Sequence, residues 1–218
     1  MIAGVDEAGR GPVIGPLVIS GVMVSEETSL SNLDVKDSKK LSPKKRTFLA
    51  KQIKQIASNI ETLIIKATDI DDMRKVMTLN EIEVHAFTKV IKKLKPDKCY
   101  VDAADVNSIR FGNTISAQLS SKIEVISKHK ADDIYPIVSA ASIIAKTIRD
   151  KEIEIISQNL EKRINKPLGS GYPSDPITQD FIHAWVKKYN KLPPHTRKSW
   201  KTAQRIYKEH TRKTLDDF

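Results

Sequence analysis

Three apolar runs in this chain end in acidic side chains, and that restricts how the chain can fold. Residues 2–5 run apolar into Asp6 and Glu7, residues 98–101 reach Asp102 in KCYVDAAD, and IEVISKHKADD places Asp132 and Asp133 just beyond a third run. A carboxylate at the edge of a core is costly unless it is paired or bound to a cation. In an α/β sheet the ends of several strands can converge on one site, and carboxylates gathered there repel one another unless a cation joins them. The candidate ligands are Asp6, Glu7, Asp102 and Asp132, whereas Asp105 and Asp133 read as turn or cap residues. All-oxygen donors without a His or Cys cluster favour magnesium or manganese over zinc. Adjacent strand residues point to opposite faces, so Asp6 and Glu7 can share a cation only if the strand ends or bends there, and Ala8-Gly9 is where a bend is expected.

The rest of the chain supplies such strands and alternates them with helices. Residues 2–6 and 17–24 read as strands joined by a Gly/Pro turn, with a third over 61–67, close enough in sequence to pair antiparallel. Ser42-Pro43 has the form of an N-cap with proline at the first helical position, opening a helix to about residue 58. Thr78 with Glu81 forms a capping box before a helix to residue 94. A strand over 98–103, a helix over 108–120, a strand over 123–127 and a long helix over 137–164 follow. NKPLGSGYPSDP, residues 165–176, is the one clear Pro/Gly/Ser-rich break, and Pro176 starts a helical carboxyl-terminal region. The pattern is α/β with a mixed sheet.

With 218 residues, 39% hydrophobic and 29% charged, the chain can bury a core of its own and fits one domain, or one domain with an appendage. The longest uncharged apolar run, residues 13–24, is broken by Gly15, Pro16 and Gly21 and is too short to cross a bilayer. No export signal precedes the first strand, and Cys99, the sole cysteine, excludes an intrachain disulfide and a multi-cysteine zinc site. A cytoplasmic, monomeric protein with no membrane partner is expected.

The net charge of +10 is concentrated near the carboxyl terminus: residues 183–213 hold ten Lys or Arg against Glu209 alone. Trp185, Tyr189, Trp200 and Tyr207 are interleaved with these cations, a composition that can contact phosphates and pack on sugars or bases. The same pattern also describes a solvated helical face over a small aromatic core. Between residues 137 and 164, Ser139, Ser142, Lys146 and Arg149 recur at spacings of three, four and three on one helical face. Hydroxyls and cations in one row suit a nucleic-acid backbone; the Ser-Ala-Ala-Ser cluster also permits close packing of helix on sheet. Nucleophile-elbow, Walker and H-E-x-x-H motifs are all missing from the sequence. A basic chain with clustered carboxylates points to two-metal phosphodiester hydrolysis.

Five segments in register resemble one family. DEAGRGPVIGP, DSKKL (37–41), VDAAD (101–105), KHKADDIYPIVSAASIIAKTIRD (128–150) and GSGYPSDP (169–176) resemble ribonuclease HII, the type 2 ribonuclease H, and the likeness runs from residue 2 to about 207. The form of GSGYPSDP is similar to the archaeal branch. The resemblance implies a ribonuclease H-like mixed sheet flanked by helices, with a carboxyl-terminal helical region. It implies a catalytic domain over 1–165, a helical substrate-binding region over 166–210 and a disordered tail over 211–218. The family's metal ligands fall on Asp6, Glu7, Asp102 and Asp132, with two Mg2+ or Mn2+ ions as cofactor. Its Gly-Arg-Gly motif falls on Gly9, Arg10 and Gly11, whose backbone would recognise the ribose 2′-hydroxyl at the cleaved junction. Tyr172 would pack on the following deoxyribose, and Lys39, Asn80, Ser142 and Lys146 would contact the strand backbone.

The implied reaction is endonucleolytic cleavage of the RNA strand of RNA/DNA hybrids and RNA-DNA junctions 5′ to a ribonucleotide, leaving 3′-hydroxyl and 5′-phosphate ends. The alternatives are a non-catalytic nucleic-acid-binding protein, which would not need the acidic set, and a DNA nuclease or resolvase of the same fold, which would not need Gly-Arg-Gly with Tyr172. The tail TRKTLDDF places Leu215 and Phe218 at the spacing of the aliphatic and first aromatic anchors of a clamp-binding box, with Arg212 where glutamine stands. A weak sliding-clamp contact is the expectation from that spacing, against a solvated chain end.

Overall fold

The computed structural model describes residues 1–26, 30, 41–119 and 122–216, apart from the side chains of 213–216. The segment 37–40 with Lys39, the Leu215 side chain and Phe218 lie outside the described residues. The elements run β1 (Ile2–Ala8), β2 (Leu17–Val24), α1 (Pro43–Ile56), β3 (Asn59–Ile65), α2 (Ala67–Met73), α3 (Leu79–Leu94), β4 (Lys98–Asp102), α4 (Ser108–Ala117), β5 (Glu124–Lys128), α5 (Ala131–Ile134), α6 (Pro136–Ile164), α7 (Pro176–Tyr189) and α8 (Lys201–Asp216). The five strands form one sheet in the order β3-β2-β1-β4-β5. β1 is antiparallel to β2 and parallel to β4, and β4 is parallel to β5, which gives the mixed sheet the sequence implies. The short third strand lies two residues earlier than its apolar run suggests.

The chain divides into two compact units: Met1–Ala8, Val18–Ile64 and Thr78–Ile148 form the first, and Gly9–Leu17, Ile65–Met77 and Arg149–Phe218 the second. The division between the units falls within α6, between Ile148 and Arg149, and the Pro/Gly/Ser-rich break at 165–176 lies inside the second unit. No Pro or Gly marks that point because the helix continues through it without interruption.

In the first unit the sheet is covered on both faces. Val22 and Val24 of β2 share a buried cluster with Leu49 and Ile53 of α1 and with Ile137, Ala141 and Ile144 of α6. Alternation along β1 turns Gly4 toward α6, and a Cβ on Gly4 would lie 2.4 Å from the Ile137 carbonyl, so a glycine is what lets helix and strand approach. On the other face, a Cβ on Gly21 would press on Val90 and Leu94 of α3, and Phe87 of α3 meets Phe111 of α4 edge to face at 5.3 Å. Thr78 caps α3 in the expected box: its Oγ1 accepts from the Glu81 N–H, and Glu81 accepts from the Thr78 N–H at 2.6 Å.

The second unit has its own core. Val13 and Ile14 pack with Ile153, Ile156 and Leu160 of α6, Phe181, Ile182 and Trp185 of α7 and Ile206 of α8. Trp185 is fully buried and stacks obliquely between Phe181 and Tyr189, so this aromatic belongs to a core and not to a nucleic-acid surface. The helix over Lys201–Asp216 continues through most of the segment expected as a disordered tail. Among the described residues no helix is long and apolar enough to cross a membrane.

Candidate active site

Asp6, Asp102 and Asp132 converge in the first unit. β1 and β4 are parallel neighbours, so Asp6 and Asp102 come from adjacent strands, while Asp132 sits in the first turn of α5 just past the end of β5. One carboxylate oxygen from each lies within 4.8 Å of the others, and Asp6 and Asp132 are buried. Backbone donors fix two of the three: Asp6 Oδ1 accepts from the Glu7 N–H at 2.7 Å, and Asp102 Oδ1 accepts from the Ala131 N–H at 3.0 Å. Burial, then the neighbouring Asp102 charge, raise the Asp6 pKa to about 6 against a hydrogen bond from Ser142 that lowers it. A cluster in which burial and the Asp102 and Asp132 charges disfavour the ionised form of Asp6 fits a divalent cation, whose charge would remove the repulsion that the protein alone leaves in place.

Glu7 lies outside this three-oxygen group but beside it, its side chain hydrogen-bonded with that of Asp6. β1 stays paired with β2 through Ala8, so the strand does not end at Asp6, and the Glu7 carboxyl nevertheless interacts with Asp6 and Asp102 as well as with Glu83 of α3. Burial, then Asp6, Glu83 and Asp102, push its pKa well above the usual carboxylate range. Its Oε2 is buried with no hydrogen-bond partner among the described residues, an orphan acceptor that also fits a cation. Glu83, fully buried on α3, is an acid beside the site that the strand-end pattern could not reveal, because it lies mid-helix at a core position.

The other expected contacts fall in several places. Asp105 is a structural acid: it pairs with Arg110 through bonds of 2.6 to 3.0 Å, accepts from the Asn107 N–H, and is held below its ordinary pKa chiefly by Arg110. Asn80 donates to the same Asp105 carboxylate, which ties it to this cluster. Asp133 is exposed at α5. Ser139 and Ser142 are buried, and Ser142 supports the Asp6 carboxylate from α6. Lys146 is half-buried one turn further on.

Gly9, Arg10 and Gly11 lie in the second unit with Tyr172. Gly9 has φ +85° and a Cβ there would meet the Pro16 carbonyl at 2.5 Å, so the turn after β1 requires glycine. Gly11 is exposed and lies against the Tyr172 ring, which would be 3.6 Å from its Cβ. The Arg149 guanidinium stands 5.2 Å from the centre of that ring and donates to the Ser170 carbonyl at 2.7 Å. Arg149 is buried, against the expectation of an exposed cation in line with Ser142 and Lys146. Asp175 caps α7 and accepts from the Ser170 N–H and Oγ, the Ile177 N–H and the Thr178 hydroxyl, which lowers its pKa to about 2, Ser170 contributing most. Asp175-Pro176 repeats the signal of Ser42-Pro43, so this cap was legible.

Comparison with known proteins bears on this geometry directly. The family model for ribonuclease HII matches residues 3–203. The chain belongs to the ribonuclease HII family. Ribonuclease HII of Methanosarcina barkeri is 50% identical over 219 residues, covering 96% of each chain. The crystal structure of ribonuclease H2 from Pyrococcus horikoshii superposes with a TM-score of 0.88 at 42% identity, covering 96% of this chain and 98% of that one. Ribonuclease HII in a complex with PCNA from Archaeoglobus fulgidus superposes over both whole chains with a TM-score of 0.85 at 41% identity. As a ribonuclease HII, the protein is an endoribonuclease of RNA/DNA hybrids with the ribonuclease H-like fold, and it is metal-dependent.

Proposed function

We propose that the protein cleaves the RNA strand of hybrids and RNA-DNA junctions 5′ to a ribonucleotide, by two-metal hydrolysis that leaves 3′-hydroxyl and 5′-phosphate ends. The observation that carries this reading is the convergence of Asp6, Asp102 and Asp132 oxygens within 4.8 Å of one another. Asp6, Asp102 and Asp132 would hold Mg2+ or Mn2+, with Glu7 completing the donor set through its orphan oxygen. Bound there, such ions would supply activation of the attacking water and stabilisation of the leaving oxygen. Ser142 orients Asp6, and the Ala131 N–H orients Asp102. Gly9, Arg10 and Gly11 would present backbone donors to the ribose 2′-hydroxyl, the group that distinguishes RNA from DNA, with Tyr172 packed on the next deoxyribose. Lys39, Lys146 and Asn80 would contact the strand backbone, Asn80 through the cluster it forms with Asp105.

The complex of PCNA with a ribonuclease HII in Archaeoglobus fulgidus supports a sliding-clamp contact here; the spacing of Leu215 and Phe218 makes them the anchors that this reading assigns to it. The test is titration of the clamp against the intact protein and a form ending at His210, where equal affinity removes the tail from the account. The catalytic reading is tested with a duplex containing one ribonucleotide. Asp102→Asn is expected to abolish cleavage while the protein stays folded, and substantial activity in that variant contradicts the assignment.

A further inference from the structure

We infer that Arg197, together with Trp200, is a positioning residue that fixes the Gly9–Gly11 backbone in its ribose-reading orientation, an inference that rests on the function proposed above. Arg197 is fully buried, although it lies in the basic run whose charges would otherwise be assigned to the surface. Its Nη2 donates to the Gly9 carbonyl at 2.5 Å, Nη1 to the Arg10 carbonyl at 2.8 Å and Nε to the Gly15 carbonyl at 3.0 Å. Its own backbone N–H bonds the Val13 carbonyl at 2.8 Å. The guanidinium also stands 4.8 Å from the centre of the Trp200 ring, and Trp200 Nε1 donates to the Gly11 carbonyl at 3.2 Å.

Three successive carbonyls, those of Gly9, Arg10 and Gly11, are thus turned toward residues 197 and 200. The peptides are trans, and in a trans peptide the N–H points opposite to the carbonyl it is bonded to. The N–H groups of Arg10 and Gly11 are therefore aimed away from Arg197, side by side, while Pro12 contributes no donor. Two aligned backbone donors beside an exposed glycine suit a hydroxyl oxygen. A need for stability alone does not explain a buried guanidinium, since apolar residues of similar volume usually serve a core as well or better. An apolar side chain cannot orient three carbonyls. Nor can lysine, which offers a single charged point where arginine offers a planar fork.

The experiment compares the unmodified enzyme with Arg197→Lys, which keeps the charge and loses the fork, and Trp200→Phe, which keeps a ring and deletes one donor. Circular dichroism and thermal unfolding first establish that each is folded. The readouts are kcat/KM on a duplex with one ribonucleotide and the inhibition constant of the matched all-DNA duplex. Loss of one neutral hydrogen bond in Trp200→Phe is expected to lower kcat/KM about 3- to 10-fold. Misplacement of the loop in Arg197→Lys is expected to lower it about 100-fold. In both, inhibition by all-DNA duplex stays unchanged, because the loss is confined to reading the ribose. Unchanged kcat/KM in folded Trp200→Phe overturns the inference, as does an equal loss of all-DNA affinity, which a merely structural role would produce. If Arg197→Lys does not fold, Trp200→Phe alone decides. A lack of preference for the ribonucleotide in the unmodified enzyme would instead contradict the proposed function.

Discussion

At Asp6 the protein holds a carboxylate where its own burial and Asp102 disfavour the charge, raising the pKa to about 6. A folded pKa above the ordinary value of 3.8 means that the metal-free protein gains most stability from this site when the acid is protonated. That stability is present below about pH 4 and falls as pH rises through 6. Asp6→Asn is therefore expected to stabilise the metal-free protein above pH 6 by about 1–3 kcal/mol while abolishing cleavage. Urea unfolding in EDTA checks this, and a destabilised variant would show that the repulsion is not there. Asp175 has the opposite sign: its pKa, lowered to about 2, contributes stability above the ordinary carboxylate range that is lost as pH falls toward 2. Asp175→Ala should cost about 1–2 kcal/mol at neutral pH, the usual cost of losing an N-cap, with a smaller difference from the unmodified protein in acid. The cluster was legible in the sequence because Asp6 and Asp102 end apolar runs and Asp132 follows one. Glu83, Arg149 and Arg197 were not, since a charge count gives a buried charge and a solvated one the same weight.

Among the elements, those with a local chemical marker were the legible ones. Ser42-Pro43 and the Thr78/Glu81 box start α1 and α3 where their side chains predict. α2 and α5, of seven and four residues, carry too few positions to show a period and went unread. The serine face of α6 was ambiguous in the sequence because small hydroxyls serve both packing and phosphate contact; in the structure Ser139 and Ser142 are buried, and Ser142 also bonds Asp6. The loop before α7 is held by the bonds of Asp175 and by Arg149 under Tyr172, so it presents that ring from a fixed support. Tyr172→Ala should weaken cleavage at a single ribonucleotide by the about 1–3 kcal/mol typical of an aromatic platform. Steady-state rates on that substrate measure it, and unchanged rates would leave Tyr172 as a loop anchor only.

For the whole molecule, the excess of positive charge near the carboxyl terminus divides between structure and surface. Arg197 is core and Arg205 pairs with Glu209, whereas Lys198 and Lys201 present their side chains to solvent. Neutralising Lys198 and Lys201 together is expected to raise KM, leave kcat in place and reduce the slope of log KM against log salt by about 1–2, as lost phosphate contacts do. A fall in kcat with unchanged salt dependence would place these lysines in the folded framework. The proposed reaction is hydrolysis that needs the carboxylate cluster with divalent cations and occurs only beside a ribose. It is tested most directly by incubating the protein with three matched duplexes, one with a single ribonucleotide, one all DNA and one all RNA, in magnesium and in EDTA. The first duplex should be cut 5′ to its ribonucleotide in magnesium and left intact in EDTA, and the all-DNA duplex should not be cut. Cleavage that persists in EDTA, or scission of the all-DNA duplex at a comparable rate, would contradict the proposed reaction.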